Sequence, residues 1–165
     1  MTRLNLSVTK KQKRFIDADE GEVLFGGAAG GGKSYGQLID AMLFALRYPG
    51  IRQLLLRRTY PELVNNHINQ LREELNGIAK YNKSEKVFTF GNGSTIKFGY
   101  CNNDNDLLQY QGAEFDVIFL DEATQLREEW IKKITACVRG VNDFPKRIYY
   151  TCNPGGVSHG YIKRL

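Results

Sequence analysis

The sequence predicts an α/β fold in which a mostly parallel sheet is covered by helices on both faces. Short apolar runs without polar alternation, which are typical of strands buried on both faces, alternate with stretches whose apolar residues recur at helical spacing. The chain has 165 residues, of which 42% are hydrophobic, and this is enough for one domain with its own core. Strands and helices that alternate in this way form parallel sheets.

The predicted elements follow one another in a regular order. Leu38, Met42 and Leu46 lie on one face of the first long helix, which Pro49 closes. Polar and apolar residues alternate on both sides of a Gly-Asn-Gly turn, which indicates a β-hairpin insertion near 86–100. The full prediction is a strand at 22–26, a helix at 33–47, a strand at 52–58, a helix at 61–75, the hairpin, a strand at 116–123, a helix at 126–138 and a strand at 147–153.

Charge and cysteine content narrow the class of protein. The net charge of +5 permits a polyanionic partner but does not require one. Cys101, Cys137 and Cys152 form an odd set without CxxC or Cys/His spacing, which argues against a disulfide framework or a zinc site. No apolar run reaches the length of a membrane span and the first residues do not resemble a signal peptide, so we expect a cytosolic protein.

A glycine-rich segment at 27–34, with the sequence GAAGGGKS, matches the pattern GxxxxGK(S/T) between a predicted strand and a predicted helix. In such a P-loop, successive backbone N–H groups hold phosphate oxygens, and glycine lets the phosphates come close. Lys33 is predicted to reach the β- and γ-phosphates, and the Ser34 hydroxyl to bind Mg²⁺. The complete predicted nucleotide-binding loop is Gly27, Ala28, Ala29, Gly30, Gly31, Gly32, Lys33 and Ser34.

Two acids, Asp121 and Glu122, follow the apolar run DVIFL. Open parallel sheets bind ligands at the carboxyl ends of their strands, so both acids are expected to face the same crevice as the glycine loop. We predict that Asp121 holds Mg²⁺ through water and that Glu122 polarises an attacking water as general base. The second acid favours hydrolysis over simple binding. The alternative is that the two acids cap the N-terminus of a helix.

The absence of other motifs narrows the class of P-loop protein. The sequence has no NKxD segment of the kind that reads guanine, and no arginine-rich lid of a small-molecule kinase stands out. We therefore predict the class with an extra strand between the loop strand and the acidic strand, which carries a polar residue at its tip. Thr151 and Asn153 fit that position; the alternative is a capped turn before Pro154.

Five segments together resemble one family: VTKKQKRF, GGAAGGGKS, LLLRRTYPEL, YQGAEFDVIFLDEATQ and TCNPGGVSHGYIKRL. From about Thr9 to Leu165 the chain resembles the N-terminal ATPase domain of the large terminase subunit of tailed bacteriophages and prophages. The resemblance implies a RecA-like (ASCE) strand order and Mg²⁺-dependent ATP hydrolysis that powers translocation of double-stranded DNA into a procapsid. It also implies a homo-oligomeric ring, contacts with portal protein and terminase small subunit, no membrane, and action in the cytoplasm of the bacterial host.

The resemblance implies roles for the residues of the nucleotide site. Gln12 matches the glutamine that reads adenine in this family, with Phe15 nearby. Residues 27–34 are the Walker A segment, in which Lys33 assists catalysis. Asp121 is the Walker B acid and Glu122 the catalytic carboxylate.

Two further groups of residues are assigned through the resemblance. Thr151, Cys152 and Asn153 match the coupling motif, which links loss of the γ-phosphate to domain movement. Arg57 and Arg58 end the second strand and are candidates for contacts with phosphate or with a neighbouring subunit. The alternative for this pair is a solvated strand end.

The chain departs from the family in two ways. Many large terminases carry an arginine inside the glycine loop, where this chain has Ala29; we predict that an adjacent subunit in a ring supplies that charge. Large terminases also carry a nuclease domain with clustered acids, whereas Asp104 and Asp106 lie in a predicted polar loop. We therefore expect residues 1–165 to be one ATPase domain, cut short at its C-terminal end, without a nuclease domain or nuclease activity.

Two other readings stay open at the level of sequence. One is a helicase-like P-loop ATPase acting on nucleic acid, since DEAT resembles helicase motifs; the other is a truncated prophage remnant that binds nucleotide without turnover. The segment TCNPGG favours the terminase, and the intact acids at 121–122 argue against decay of the site. Contacts with DNA are expected to be independent of base sequence and to be spread over several basic groups. The alternative is that these groups are ordinary solvated surface. They lie at 10–14, 57–58, 132–133 and 163–164.

Overall fold

A computed structural model of the protein describes residues 8–17, 21–26, 32–152 and 156–164. Within this part of the chain, one seven-stranded sheet has the order β1-β7-β6-β2-β5-β4-β3. Its strands are β1 (Glu22–Phe25), β2 (Arg52–Arg57), β3 (Ala79–Asn82), β4 (Val87–Phe90), β5 (Thr95–Tyr100), β6 (Val117–Leu120) and β7 (Arg147–Thr151). The residues with predicted roles that lie outside the described ranges are Gly27, Ala28, Ala29, Gly30, Gly31 and Asn153.

Helices pack on both faces of this sheet. They are α1 (Lys10–Ile16), α2 (Lys33–Arg47), α3 (Tyr60–Leu63), α4 (Asn69–Glu74), α5 (Glu128–Thr135) and α6 (His159–Arg164). A π-helical turn, Val64–Ile68, joins α3 to α4, so that residues 60–74 form one continuous helical segment. Short 3-10 helices lie at Asp104–Tyr110 and Ala123–Gln125. None of the described helices is long and apolar enough to cross a membrane.

The strand order confirms a mostly parallel sheet with an extra strand between the loop strand and the acidic strand. β7 lies between β1 and β6 and runs parallel to both, and β6 runs parallel to β2. The carboxyl ends of these four strands therefore meet at one edge of the sheet. The phosphate loop follows β1 and the two acids follow β6, so this edge brings the predicted site together.

The predicted hairpin is present and extends farther than the sequence indicated. β4 and β5 pair antiparallel, and β5 continues the sheet as a parallel neighbour of β2. A third strand, β3, pairs antiparallel with β4. β3 was not predicted, because two of the four residues in AKYN, Lys80 and Asn82, are strongly polar and point away from the core.

Two apolar cores lie on opposite faces of the sheet, because successive side chains of a strand point in opposite directions. In β6, Val117 and Phe119 pack into the core under α2 and the helical segment 60–74. Ile118 and Leu120 pack into the core under α5 and α6. All four side chains are fully buried, which explains why β6 is apolar at every position.

Two helix predictions need correction. The helix predicted at 126–138 is confined to Glu128–Thr135, because the chain then turns so that Val138 forms a parallel bridge with Phe115. The helix predicted at 61–75 starts at Tyr60 and contains the π-helical turn. The sequence analysis did not predict α1 or α6.

The predicted polar loop that holds Asp104 and Asp106 is instead the 3-10 helix Asp104–Tyr110. The Asp104 carboxylate accepts a hydrogen bond from the Trp130 indole N–H at 2.8 Å, which ties this helix to α5. The Asp106 carboxylate accepts from the backbone N–H of Asn102. Both acids therefore have structural partners in the described part of the chain.

Candidate active site

Asp121, at the carboxyl end of β6, is the centre of the site. Its side chain is fully buried, and four side chains from four different elements donate hydrogen bonds to it. The donors and their distances are Ser34 Oγ at 3.0 Å, Arg57 Nη1 at 3.1 Å, His67 Nε2 at 2.7 Å and Thr151 Oγ1 at 2.6 Å. One carboxylate thus joins α2, β2, the π-helical turn and β7.

The donors keep Asp121 ionised. Burial by itself raises the pKa of this carboxyl, because charge is poorly solvated inside a protein. The hydrogen bond and electrostatic field of His67, the Thr151 hydroxyl and the Arg57 guanidinium outweigh burial and lower the pKa to about 2. At neutral pH the buried group is therefore an anion.

Lys33 and Ser34 begin α2, as predicted, and reach the same edge of the sheet. The Lys33 side chain is buried, and the Ser34 hydroxyl lies directly against Asp121. A hydroxyl next to an ionised carboxylate is the oxygen ligand pair that Mg²⁺ takes in nucleotide sites, where water and phosphate complete its coordination. These two residues therefore fit the predicted metal, and no larger cluster is needed. No group of three or more His, Cys, Asp or Glu side chains among the described residues could hold a metal ion.

Glu122 is held in an unusual backbone conformation that turns it away from β6. Its φ of 49° lies in the left-handed region, which non-glycine residues seldom adopt. Its backbone N–H donates to Thr151 Oγ1 at 3.1 Å, while the same Thr151 hydroxyl donates to Asp121. The Glu122 side chain is about one-third exposed, so it can contact a ligand in the crevice.

Thr151 and Cys152 occupy the tip of β7, where the sequence analysis expected a polar residue. Thr151 is buried and contacts both acids, as described above. Cys152 is buried beside Gly26, and its backbone N–H donates to the Phe25 carbonyl at 3.3 Å. The tip of β7 is thus bonded on one side to the end of β1 and on the other to the residues that follow β6.

Gln12 contacts the end of the phosphate loop. Its side chain is buried, and Nε2 donates to the Gly32 carbonyl at 2.8 Å while Oε1 accepts from the Thr9 backbone N–H at 2.8 Å. Gly32 has a φ of 68°, and a Cβ atom at this position would collide with the Gln12 amide. Among the described residues, one donor and one acceptor site of the amide are used, which leaves one of each for a base. Recognition of adenine by Gln12 remains a prediction.

The adjacent residues Arg57 and Arg58 have different environments. Arg57 points inward, where its guanidinium contacts the carboxylates of Glu62, Asp121 and Glu122 at 3.1, 3.1 and 3.3 Å. Arg58 points outward and is exposed. The two arginines were predicted as one pair of candidate contacts, but Arg57 is the last residue of β2 and is buried, whereas Arg58 follows the strand and is exposed.

His67 and Glu62 belong to the site but were not predicted. Both lie on the helical segment 60–74; Glu62 binds Arg57, and the fully buried His67 binds Asp121. A signal for His67 is present in the sequence, since Leu63, Leu71 and Leu75 place it in an i+4 series of buried residues. A polar residue in such a series is an indication of a buried partner.

The fold of the chain is shared with solved terminases. The large terminase of a thermophilic bacteriophage has a TM-score of 0.80 at 18% identity, over 97% of this chain and 42% of that one. The same terminase in complex with ATP-gamma-S gives 0.74 at 19% identity, over 94% and 40%. The viral genome packaging motor assembly of bacteriophage Phi-29 gives 0.55 at 18% identity, over 84% and 45%. These likenesses confirm the predicted P-loop α/β fold, and the chain spans less than half the length of each of these chains.

Sequence comparison gives the family. No curated protein matches the chain significantly. A family model for the phage terminase large subunit matches residues 19–165, which is most of the chain and includes the glycine loop, both acids and the tip of β7. The resemblance inferred from the sequence is therefore confirmed, and the chain belongs to the phage terminase large subunit family.

Proposed function

We propose that the chain is a motor ATPase domain, which hydrolyses ATP with Mg²⁺ to drive double-stranded DNA into a procapsid. The observation that carries the proposal is the ionised, buried Asp121, which joins the start of α2 to the tips of β2 and β7 with Glu122 beside it. Burial of a charged carboxylate costs free energy even when hydrogen bonds stabilise it. Buried ionised groups of this kind therefore indicate functional sites. The family membership of the chain supports the same reaction.

The residues of the site divide the reaction between them. Lys33 binds the β- and γ-phosphates, and Ser34 and Asp121 hold Mg²⁺, which neutralises phosphate charge when bound. Glu122 accepts a proton from the attacking water. The water oxygen forms a bond to the γ-phosphorus, the bond from that phosphorus to the bridging oxygen breaks, and ADP leaves with the electron pair of that bond.

Thr151 couples this chemistry to movement. Its hydroxyl contacts both acids, so a rearrangement at Glu122 after phosphate leaves would be transmitted to the tip of β7. Cys152 and Asn153 follow Thr151 in the sequence and complete the proposed coupling motif. Of these three residues, Thr151 is the one whose side chain contacts Asp121 and the Glu122 backbone in the described part of the chain.

DNA is proposed to bind through its phosphates, since a packaging motor holds every sequence alike. All the described basic residues of the predicted contact groups are exposed except Arg57, which the acids hold inside. By family, we also propose a homo-oligomeric ring in the host cytoplasm that works with a portal protein and a terminase small subunit. The solved Phi-29 packaging motor assembly, whose fold this chain shares, supports that setting.

A strand-displacement assay tests the proposed function. The protein is incubated with a DNA duplex that carries a third strand bound in its major groove, and release of the third strand is followed. We expect release with ATP and Mg²⁺, none with ATP-gamma-S, and loss of release as salt rises. ATP hydrolysis without release of the third strand would reject DNA translocation and leave an ATPase of another kind.

A further inference from the structure

We propose that Arg57 supplies a positive charge to the γ-phosphate bound in the same subunit. The inference rests on the proposed ATPase function and adds a catalytic residue to it. Residues 25–36 contain no arginine, which is why a neighbouring subunit was predicted to supply this charge. The structure offers a nearer source at the end of β2.

Arg57 is positioned by three carboxylates, and each nitrogen of its guanidinium has its own partner. Nε contacts Glu62 at 3.1 Å, Nη1 contacts Asp121 at 3.1 Å and Nη2 contacts Glu122 at 3.3 Å. The side chain is 11% exposed. An arginine is always charged, and its planar fork suits carboxylate and phosphate oxygens equally well. Arg57 is therefore a cation fixed beside both acids of the site.

The position of Arg57 relative to Ser34 places it within reach of the γ-phosphate. Arg57 Nη1 and Ser34 Oγ contact the same oxygen of Asp121, at 3.1 and 3.2 Å, so their separation cannot exceed the sum of those distances. In a P-loop site the Ser34 hydroxyl would help to hold Mg²⁺ next to the terminal phosphates of the nucleotide. A guanidinium this close needs a change of side-chain rotamer, and no movement of the backbone, to contact the γ-phosphate.

A small cavity beside Glu122 gives the guanidinium and the water room to act. It has a volume of about 140 Å³ and is lined by Arg57, Arg58, Glu62, Glu122 and Gln125. One water occupies about 30 Å³ in the liquid, so the cavity can hold an attacking water with space for a side chain to move. Two charged groups of the proposed reaction, the Arg57 guanidinium and the Glu122 carboxylate, face this one space.

The contact between Arg57 and Glu122 gives the arginine a second effect. While Glu122 is paired with the guanidinium, the carboxylate oxygen that contacts Nη2 at 3.3 Å is occupied and is not available to an attacking water. The γ-phosphate is a stronger competitor for the guanidinium than one carboxylate, since it presents more charge and more oxygens. When Arg57 Nη2 moves to a γ-phosphate oxygen, Glu122 is released to accept the proton of the attacking water. Arg57 itself forms only hydrogen bonds, to oxygens whose charge grows as the phosphorus–oxygen bond breaks.

The same contacts argue against Arg57 acting on a neighbouring subunit. To contact a neighbouring subunit, the guanidinium would have to break its contacts with three carboxylates. The buried charge of Asp121 would then lose a positively charged partner, which is unfavourable. Action inside its own site keeps the contacts with Glu62 and Asp121. Arg58, which is exposed, is the residue of this pair that is free to contact another molecule.

The test compares Arg57→Ala with Arg52→Ala, a matched control at the other end of the same strand, where the side chain is exposed. We expect Arg57→Ala to lower kcat by about 10³-fold while ADP affinity stays within about threefold of wild type. Binding of ADP with aluminium fluoride, which imitates the transferring phosphoryl group, should be lost. Guanidinium ion at non-denaturing concentration should restore part of kcat in Arg57→Ala and leave Arg52→Ala unchanged.

Three results would overturn the inference. The first is a kcat for Arg57→Ala within threefold of Arg52→Ala. The second is recovery of activity when Arg57→Ala chains are mixed with Glu122→Gln chains, because a neighbour would then be supplying the arginine. The third is a kcat that falls in Arg58→Ala but is unchanged in Arg57→Lys. If Arg57→Ala does not fold, Arg57→Lys is used instead, since lysine keeps the positive charge but lacks the planar guanidinium. A kcat equal to that of wild type in Arg57→Lys also rejects the inference.

Failure of the proposed function would look different. Wild-type protein that binds ADP but does not hydrolyse ATP, with or without DNA, contradicts the ATPase proposal. In that case binding of ADP with aluminium fluoride still compares Arg57→Ala with Arg52→Ala and decides whether Arg57 contacts the γ-phosphate position.

Discussion

His67 Nε2 lies 2.7 Å from Asp121 Oδ2, and both side chains are fully buried. An ionised carboxylate can only accept hydrogen bonds, so Nε2 carries the proton in this pair. His67 Nδ1 has no hydrogen-bond partner among the described residues. The contact therefore joins the helical segment 60–74 to the acid that we propose binds Mg²⁺, and it depends on the π-helical turn Val64–Ile68 that carries His67. Single π-helical turns are frequent at functional sites.

Removal of His67 should weaken the site through Asp121. We expect His67→Ala to lower the free energy of unfolding by about 2 kcal/mol, the usual cost of losing a hydrogen bond to a charged group. The Mg²⁺ concentration for half-maximal ATP turnover should rise, because Asp121 is no longer held in place. Urea denaturation and a Mg²⁺ titration measure the two effects. Gln70→Ala, on the same segment but outside the site, should change neither; an unchanged Mg²⁺ requirement in His67→Ala would remove His67 from the site.

Thr151 should matter through its hydroxyl. Thr151→Val keeps the shape but removes both the bond to Asp121 and the acceptor for the Glu122 backbone N–H, which frees Glu122 to leave its left-handed conformation. We expect kcat to fall at least tenfold in Thr151→Val, with ADP affinity nearly unchanged. Thr151→Ser, which retains the hydroxyl, should keep most of the activity. Equal activity of the Val and Ser variants in a phosphate-release assay would show that the contact is not used.

Nucleotide binding can distinguish two roles for Gln12, which are recognition of adenine and support of the Gly32 carbonyl. If it reads adenine, Gln12→Ala should weaken ATP binding about tenfold and leave GTP binding almost unchanged. If it merely holds the Gly32 carbonyl, both affinities should fall together. We expect the first result, because the contacts of the amide with described residues use one donor and one acceptor site and leave the others for the base. Equilibrium binding of the two nucleotides to wild type and variant makes the comparison.

Asp40, on α2, should make stability depend on pH. Burial raises its pKa to about 8, although the charge of Arg147 and a hydrogen bond from Tyr149 oppose the shift. In the unfolded chain the group ionises near its ordinary pKa, so its contribution is fully present below about pH 4 and is lost as pH rises toward 8. In that window the free energy of unfolding should fall by about 1.4 kcal/mol per pH unit relative to an uncharged residue.

The measurement is urea denaturation of Asp40→Asn and wild type between pH 5.5 and 8.5, a range chosen to cover roughly the upper half of that window. The variant should gain stability over wild type steadily as pH rises. Asp143→Asn, at an exposed site, should show a constant difference from wild type. A constant difference for Asp40→Asn as well would mean that Asp40 is ionised in the folded protein.

The features that could be predicted from the sequence depend on local patterns. The helix at Lys33–Arg47 begins at the end of the glycine loop and was predicted with its observed bounds. Asp121 and Glu122 follow an apolar run that is buried at every position, as a strand covered on both faces requires. In each case residues that are neighbours in the sequence determine the local structure.

The features that could not be predicted depend on distant contacts. The bond between His67 and Asp121 spans 54 positions and requires one π-helical turn, which no short pattern in the segment specifies. The inward direction of Arg57 is fixed by three acids from other elements. β3 has a polar sequence and forms because its backbone pairs with the edge of β4. Tertiary contacts outweigh local preference at all three positions.

Release of phosphate from ATP by the wild-type chain and by Glu122→Gln, with ADP binding measured on both, tests the proposed ATPase directly. We expect Mg²⁺-dependent turnover in wild type, loss of that turnover in the variant by at least about a hundredfold, and equal affinity for ADP. Turnover that survives in Glu122→Gln would contradict this expectation, because the residue held beside Asp121 by Thr151 and Arg57 would then not be the base.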